Sequence, residues 1–359
     1  MACPEQNRSQ PKREASPDGE THGVLATSRA GFARDMPCLT TEDALSPIGM
    51  APQTPAGYRS QSYVESLRHL GEPVRLDACG GWLLRRAIPS QVPQDPAYAR
   101  QTYDCIGPYP LFLCHDWQRV AEDLQLLRST GMVSATIVPD PFGGYSPPWL
   151  ESVFDVVRPI KQRSVVDLTR DLAQVVSRHH QQSARRALTA LQVERCADPP
   201  QYADEWVDCY RAFARDRSMS GPADVPPAGL VRQLSTPGLH MYRASAGGRT
   251  LGFSLWMVHD TLAYGHLAAH TTEGREAGVA YAFYWTILGE LQRQGVTRVD
   301  LGGGVEDSDG LARWKAGWTP ETVPSLVCGA ILRPDEYAML TRARGTGPTA
   351  YFPAYRAPS

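Results

Sequence analysis

The sequence predicts an α/β fold of two tandem units, mixed sheets flanked by helices, behind a disordered N-terminal leader. Three observations predict it. The chain has 359 residues, more than one typical domain and enough to bury a substantial core. Runs with strand character alternate with helical apolar periodicity over 58–168 and again beyond Thr169, as layered α/β units require. Residues 1 to about 56 are rich in Pro, Ser, Thr and charged side chains and lack sustained apolar periodicity, which favours disorder. The resulting boundaries are a leader over 1–56, a first unit over 57–168, a second over 169–345 and a tail over 346–359.

In the first unit a short helix is expected over 62–70. Strands follow over 74–77 and 82–88, around the turn Ala78-Cys79-Gly80-Gly81. A Pro- and Gln-rich connector over 89–96 precedes a strand over 111–114 and a helix over 117–128. A buried strand over 132–138 stops at Pro139-Asp140-Pro141, and two short strands are expected over 153–157 and 164–167. The second unit opens with the longest helical signal, 169–191. Thr169 can cap it, and Asp171 complements the dipole in its first turn. A second helix over 202–217 carries Trp206, Tyr210 and Phe213 at three- to four-residue spacing. A weaker one over 223–234 is interrupted near Pro226-Pro227. Strands over 240–244, 250–259 and 262–270 are separated by Gly247-Gly248 and Asp260-Thr261. A helix over 276–294 stops at Gly295. A strand over 298–301 then leads into a Gly-rich loop, a short helix over 311–315 and a strand over 322–332.

Composition excludes several classes. The net charge of −2 supplies no global basic field for nucleic acid, and no DNA partner is expected. Eight cysteines contain no C-x-x-C pair, which argues against both a zinc site and a disulfide framework. No apolar signal core or membrane-length apolar stretch is visible, so a soluble cytoplasmic protein is expected. No G-x-S-x-G, H-E-x-x-H or paired-carboxylate signature points to a hydrolase, and no metal is expected.

Five segments can carry chemistry. Arg275-x-x-Gly278-x-Ala280 lies between a predicted strand and a predicted helix. Backbone N–H groups and the helix dipole favour an anion at such a turn, although Glu273 and Glu276 oppose it and an ordinary tight turn reads the same. Gly302 and Gly303, with Gly304, follow a strand whose last polar residue is Asp300; they permit a ligand, or another backbone, to pass closely. Lys315 lies between Trp314 and Trp318. Lys12, Lys161 and Lys315 are the only lysines among 36 basic residues, so an ammonium here stands out from an arginine background. Pointed at an acyl carbonyl it would stabilise the developing oxyanion, whereas a snorkelling surface lysine is the bland alternative. Arg178, Arg185 and Arg186 make a basic stripe at helical spacing, suited to phosphates or simply solvated. His266 and His270, four apart in a predicted strand, are candidate general bases or ordinary rim histidines.

The order of elements after Thr250 resembles the second half of a GNAT acyltransferase domain. Three further features resemble the Fem-type aminoacyltransferases, whose chains carry two GNAT-like units. These are His-His-x-x-x-Ala-Arg-Arg-Ala-Leu from His179, Asp-Leu-Gly-Gly from Asp300 and Gly-Leu-x-x-Trp-Lys-x-x-Trp from Gly310. The similarity covers about 58–340. Trp314 stands where that family commonly has Phe, and Lys315 matches its Lys. The resemblance implies transfer of an aminoacyl group from aminoacyl-tRNA to the amine, hydroxylamine or hydroxyl of a small acceptor, with Lys315 assisting at the carbonyl. Relatives outside cell-wall synthesis do this in natural-product pathways, antibiotic biosynthesis included. It implies no permanently bound cofactor and charged tRNA as partner. The helical hairpin arm of cell-wall relatives is not evident, and the Arg275–Ala280 turn keeps acyl-CoA open as donor. A non-catalytic module of the same fold is the third reading.

Overall fold

The computed structural model describes residues 55–89, 102–219, 221–303, 310–345 and 349–357. The expected leader lies almost wholly outside them. The described residues belong to one compact unit, Pro52–Ser359. Its strands are β1 (Glu72–Leu76), β2 (Gly81–Ala87), β3 (Tyr103–Ile106), β4 (Met132–Ile137), β5 (Val156–Asp167), β6 (Gln192–Arg195), β7 (Leu239–Ala246), β8 (Arg249–His259), β9 (Leu262–His270), β10 (Arg298–Gly303) and β11 (Thr322–Ile331). Its helices are α1 (Gln61–Glu65), α2 (Val120–Ser129), α3 (Pro147–Val153), α4 (Leu172–Val175), α5 (Arg178–Ala187), α6 (Ala203–Asp216), α7 (Pro227–Gln233), α8 (Thr272–Glu276), α9 (Val279–Arg293), α10 (Gly310–Ala316) and α11 (Pro334–Arg344).

All these strands join one mixed sheet in the order β1-β2-β3-β4-β11-β5-β10-β9-β8-β7-β6. The same order of elements occurs twice. In each half an antiparallel meander (β1–β3, β7–β9) feeds a helix (α2, α9) that crosses to a parallel strand (β4, β10). A helical crossover is what a parallel neighbour requires. Each half is then closed by a strand from the other part of the chain. β5 pairs antiparallel with β10, and β11 returns to pair with β4 and β5.

The two faces of the sheet carry separate cores. Tyr58, Tyr63, Trp206, Tyr210, Phe253 and Tyr264 pack in one cluster; Trp256, Phe283, Ile287, Leu288, Val299 and Trp318 pack in another. Strand alternation produces this sorting, with Ala263 in the second cluster and Tyr264 in the first.

Several elements differ from expectation for local reasons. The helical signal of 169–191 divides into α4 and α5. Ser177 adopts extended backbone angles and its side chain accepts from His180 N, starting a new helix. Gln181 Nε2 donates to Ala173 O and Val176 O, satisfying carbonyls freed at that break. Asp171, not Thr169, caps α4. The two strands expected over 153–157 and 164–167 are one strand, β5, whose middle is too polar to announce itself. Pro227 begins α7 at its first turn instead of interrupting a helix. The helix α11 was not anticipated.

Candidate functional site

β9 and β10 pair in parallel only as far as Tyr264 and Asp300. Beyond this point β10 shifts register against β5 to pair Gly303 with Arg163, so the two strands diverge. Asp300 and Arg163 are 1 % and 4 % exposed. They form a two-pronged ion pair, Nη2 to Oδ2 at 2.5 Å and Nε to Oδ2 at 3.0 Å. Burial alone would lower the Arg163 pKa, but Asp300 outweighs it and the net direction is up. Asp300 Oδ1 also accepts from Gly302 N at 2.7 Å.

Gly302 has φ +74°, a conformation that favours glycine, and a Cβ there would sit 3.4 Å from Lys315 Nζ. Lys315 is 5 % exposed and donates to Gly303 O at 2.8 Å. A Cβ on Gly303 would lie 2.7 Å from Gln162 O, so this glycine permits close passage of backbone. The structure therefore brings Lys315, Gly302 and Gly303 together, and adds Arg163 and Asp300 to them.

Asp140, at the end of β4, is 5 % exposed and accepts from Tyr264 Oη at 3.0 Å and Phe142 N at 3.0 Å. Burial pushes its pKa up to about 6, against the lowering effect of those hydrogen bonds. Asp300 and Arg163 both act on it electrostatically.

His266 is the extra residue of a β-bulge, since Gly265 and Leu267 oppose consecutive residues Trp256 and Leu255. The bulge breaks the alternation between His266 and His270 on which a shared face was expected. His266 sits between Tyr58 and Tyr63, with Nδ1 3.1 Å from Tyr58 Oη and Nε2 3.1 Å from Gln233 Oε1. Gln233 Oε1 can only accept, so Nε2 donates and Nδ1 accepts. His266 keeps a little accessible surface, yet its surroundings push its pKa down to about 3. An imidazole so weakly basic, with both nitrogens engaged, is poorly suited to proton abstraction. His270 lies elsewhere, with its ring against Phe213 and its pKa lowered by burial. With Arg217, Thr271 and Arg275 it lines a cleft of about 230 Å³.

At the Arg275–Ala280 turn, Thr271 caps α8 by accepting from Gly274 N. Gly278 caps α9 at φ +79°, and a Cβ there would lie 3.3 Å from Ala187 Cβ in α5. That glycine thus serves chain geometry and helix contact as well as leaving the first amides of α9 open. The acidic neighbour Glu273 is paired with Arg249 at 2.6 Å. Arg178, Arg185 and Arg186 are exposed along α5 and make no ion pair among the described residues. The contact of Ala187 with Gly278 brings the end of this stripe beside the turn.

Behind Lys315, Trp314 and Trp318 pack with His180, Tyr281 and Tyr284. His180 Nε2 donates to Trp314 O at 2.8 Å, fixing α10 one residue from the lysine. Among the described residues no cluster of His, Cys, Asp or Glu is placed to hold a metal ion, and no helix is long and apolar enough to cross a membrane.

Sequence reasoning singled out Lys315, the glycines and the strand end at Asp300, which the fold places side by side. It did not single out Arg163, Asp140 or Tyr58, and it took His180 only as part of the His-His motif that begins at His179. Arg163 and Asp300 are 137 residues apart, and the one signal for Arg163 was a basic run inside a segment of strand character.

Residues 176–316 match the family model described as acetyltransferase (GNAT) domain. No curated protein matches the sequence significantly. Among solved structures, the C-terminal domain of a protein described as a lysylphosphatidylglycerol synthetase from Agrobacterium fabrum superposes with a TM-score of 0.56 at 13 % identity, over 81 % of this chain and 91 % of that one. FemX superposes with a TM-score of 0.55 at 12 % identity, over 80 % and 95 %. L-PGS from Bacillus licheniformis does so with a TM-score of 0.51 at 11 % identity, over 80 % and 98 %. At such identities the shared property is the fold. The chain has a GNAT-like α/β fold with its order of elements repeated, and the matches support an acyltransferase of that fold.

Proposed function

We propose that this chain transfers an aminoacyl group from aminoacyl-tRNA to the amine, hydroxylamine or hydroxyl of a small acceptor. The observation that carries the reading is Lys315, buried at the end of β10 and held by the carbonyl of Gly303 beside Gly302. A buried ammonium, screened little by water, stabilises an oxyanion more strongly than one in solvent. As the acceptor amine attacks the ester carbonyl, a C–N bond forms and the carbonyl oxygen gains charge beside Lys315. Collapse breaks the ester C–O bond, and the proton lost by the amine ends on the released ribose hydroxyl. The ester is already activated, so orientation and charge stabilisation suffice without a covalent enzyme intermediate.

Support for a tRNA donor comes from the exposed Arg178, Arg185 and Arg186 beside the donor turn, where phosphates would be received. FemX and the two lysylphosphatidylglycerol synthetase structures share the fold, which agrees with the resemblance in the sequence. We assign His266 to holding Tyr58 rather than to proton transfer. A second reading, acyl-CoA as donor, is favoured by the open amides after Gly278 and by the neutralisation of Glu273 by Arg249. Two variants separate the readings: Arg185→Gln/Arg186→Gln should weaken binding of charged tRNA while sparing acetyl-CoA, and Gly278→Glu should abolish binding of acetyl-CoA. Retention of acetyl-CoA binding and turnover by that variant counts against a CoA site at the turn.

A further inference from the structure

We propose that a pocket in the first half receives the anionic end of the acceptor, so that the acceptor is an elongated amphipathic molecule bearing a carboxylate or phosphate. This rests on the acyl-transfer reading above for its function, but its geometry stands alone. The pocket has a volume of about 340 Å³ and is walled by Tyr109, Ile160, Val327, Tyr351 and Phe352, with arginines around it. Ile160 and Tyr351 are two of the five most exposed large apolar side chains among the described residues, and both line this pocket. Apolar surface concentrated in one concavity marks a ligand site more than scattered exposure does.

The arginines are not equivalent. Arg86 and Arg356 are both committed to the buried Asp104, at 3.0 Å and 2.5 Å. Arg158 makes no ion pair among the described residues, and its Nε is buried with no hydrogen-bond partner. Arg158 is only half-buried and lines the pocket with no carboxylate of the described residues paired to it, and a guanidinium suits a carboxylate or phosphate.

The pocket and the lysine site lie along one strand face. Arg158, Lys161 and Arg163 of β5 stand opposite Val327, Ser325 and Val323 of β11, with one register shift between Ser325 and Leu326. Residues opposite one another in an antiparallel pair point to the same face. These three cations therefore form a row from the pocket to the Arg163–Asp300 pair and Lys315. Four residues of β11 separate the ends of that row, roughly 13 Å. Tyr109 bridges the same interval: it walls the pocket, and its carbonyl accepts from Tyr63, which packs on His266. The acceptor that fits carries its nucleophile about 13 Å from its anionic group, with an apolar body between them.

The test is binding of decanoate, decyl phosphate and neutral decanamide by calorimetry, without any acyl donor. Both anions should bind saturably and at least tenfold more tightly than decanamide. Arg158→Gln should erase that preference while leaving decanamide binding unchanged, and Arg158→Lys should retain part of it. The tighter of the two anions identifies the headgroup. Equal affinity for anion and amide, no binding of any probe, or anion binding indifferent to Arg158→Gln in a folded variant would overturn the proposal. Because no donor is present, anion binding that survives a failed transfer assay leaves this pocket intact and removes only the donor reading.

Discussion

Lys315 can reach the carbonyl of Gly303 because Gly302 offers no side chain at 3.4 Å from its Nζ. If its ammonium stabilises the oxyanion, Lys315→Ala should lower kcat by about a hundredfold or more, with an unchanged far-UV spectrum. Lys315→Arg should not rescue it, since a planar guanidinium does not reproduce the compact ammonium that donates to Gly303 O. A Lys315→Ala enzyme of full activity would remove the lysine from the chemistry. Asp300→Asn tests its neighbour: it leaves the buried Arg163 charge uncompensated, at a stability cost of about 3–5 kcal/mol in denaturant titration. Asp140 gives a pH signature. Its folded pKa, about 6, exceeds the usual carboxylate value of 3.8, so folding favours the protonated form. That contribution is complete below the lower value and is lost as pH rises to about 6, up to about 3 kcal/mol. Asp140→Asn should therefore abolish this loss, and its stability relative to the parent should rise between pH 4 and 6; a constant difference across that window would contradict the shift. At this scale the sequence exposed what was locally odd: a lysine between tryptophans and a carboxylate at a strand end. Arg163 and Asp140 were hidden because their partners are far along the chain.

The start of α5 and the end of α10 are tied by His180 Nε2 donating to Trp314 O, by Ser177 N donating to Gly317 O at 2.9 Å, and by close packing at Gly317, where a Cβ would overlap the His180 ring. In this account His180 is a positioning residue for the helix that carries Lys315. His180→Ala should lower kcat with little change in donor KM, and His180→Gln, which can keep a donor to that carbonyl, should recover part of the loss. Equal effects of both on KM alone would mean that the contact serves donor binding instead. The α5 boundary also shows why long helical signals mislead. Periodicity runs across Val176-Ser177, but a serine able to cap and a glutamine able to satisfy the preceding carbonyls divide the helix. The β7–β9 meander was legible nearly to the residue because its strands are long and apolar and its turns are Gly247-Gly248 and Asp260-Thr261. β5 was not, since the side chains it presents toward β10 and β11 include Lys161 and Arg163.

Across the whole molecule, β5 closes the second half and β11 closes the first. Residues 57–168 expressed alone lack β11 beside β4, and residues 169–345 alone lack β5 beside β10. Neither should show a cooperative thermal transition, whereas the intact chain should show one; independent cooperative melting of either half would contradict this interlocking. Alternation of strands and helices in two stretches was readable from sequence, but neither the repeated order nor the exchange was, because nothing local to 322–331 says which neighbour it pairs with. The intact chain should also be acid-labile. His240, His259 and His266 have pKa values pushed down to about 4, 4 and 3 by burial, so unfolding binds protons below the ordinary histidine value of 6.5. Stability should fall as pH drops from 6.5 toward 4, by more than Asp140 restores. The central claim concerns the donor, and the most direct measurement is binding of charged tRNA across a salt series, with acetyl-CoA alongside. The account predicts saturable tRNA binding that weakens steeply with salt and is reduced by Arg185→Gln/Arg186→Gln. Binding of acetyl-CoA with no binding of charged tRNA would contradict it.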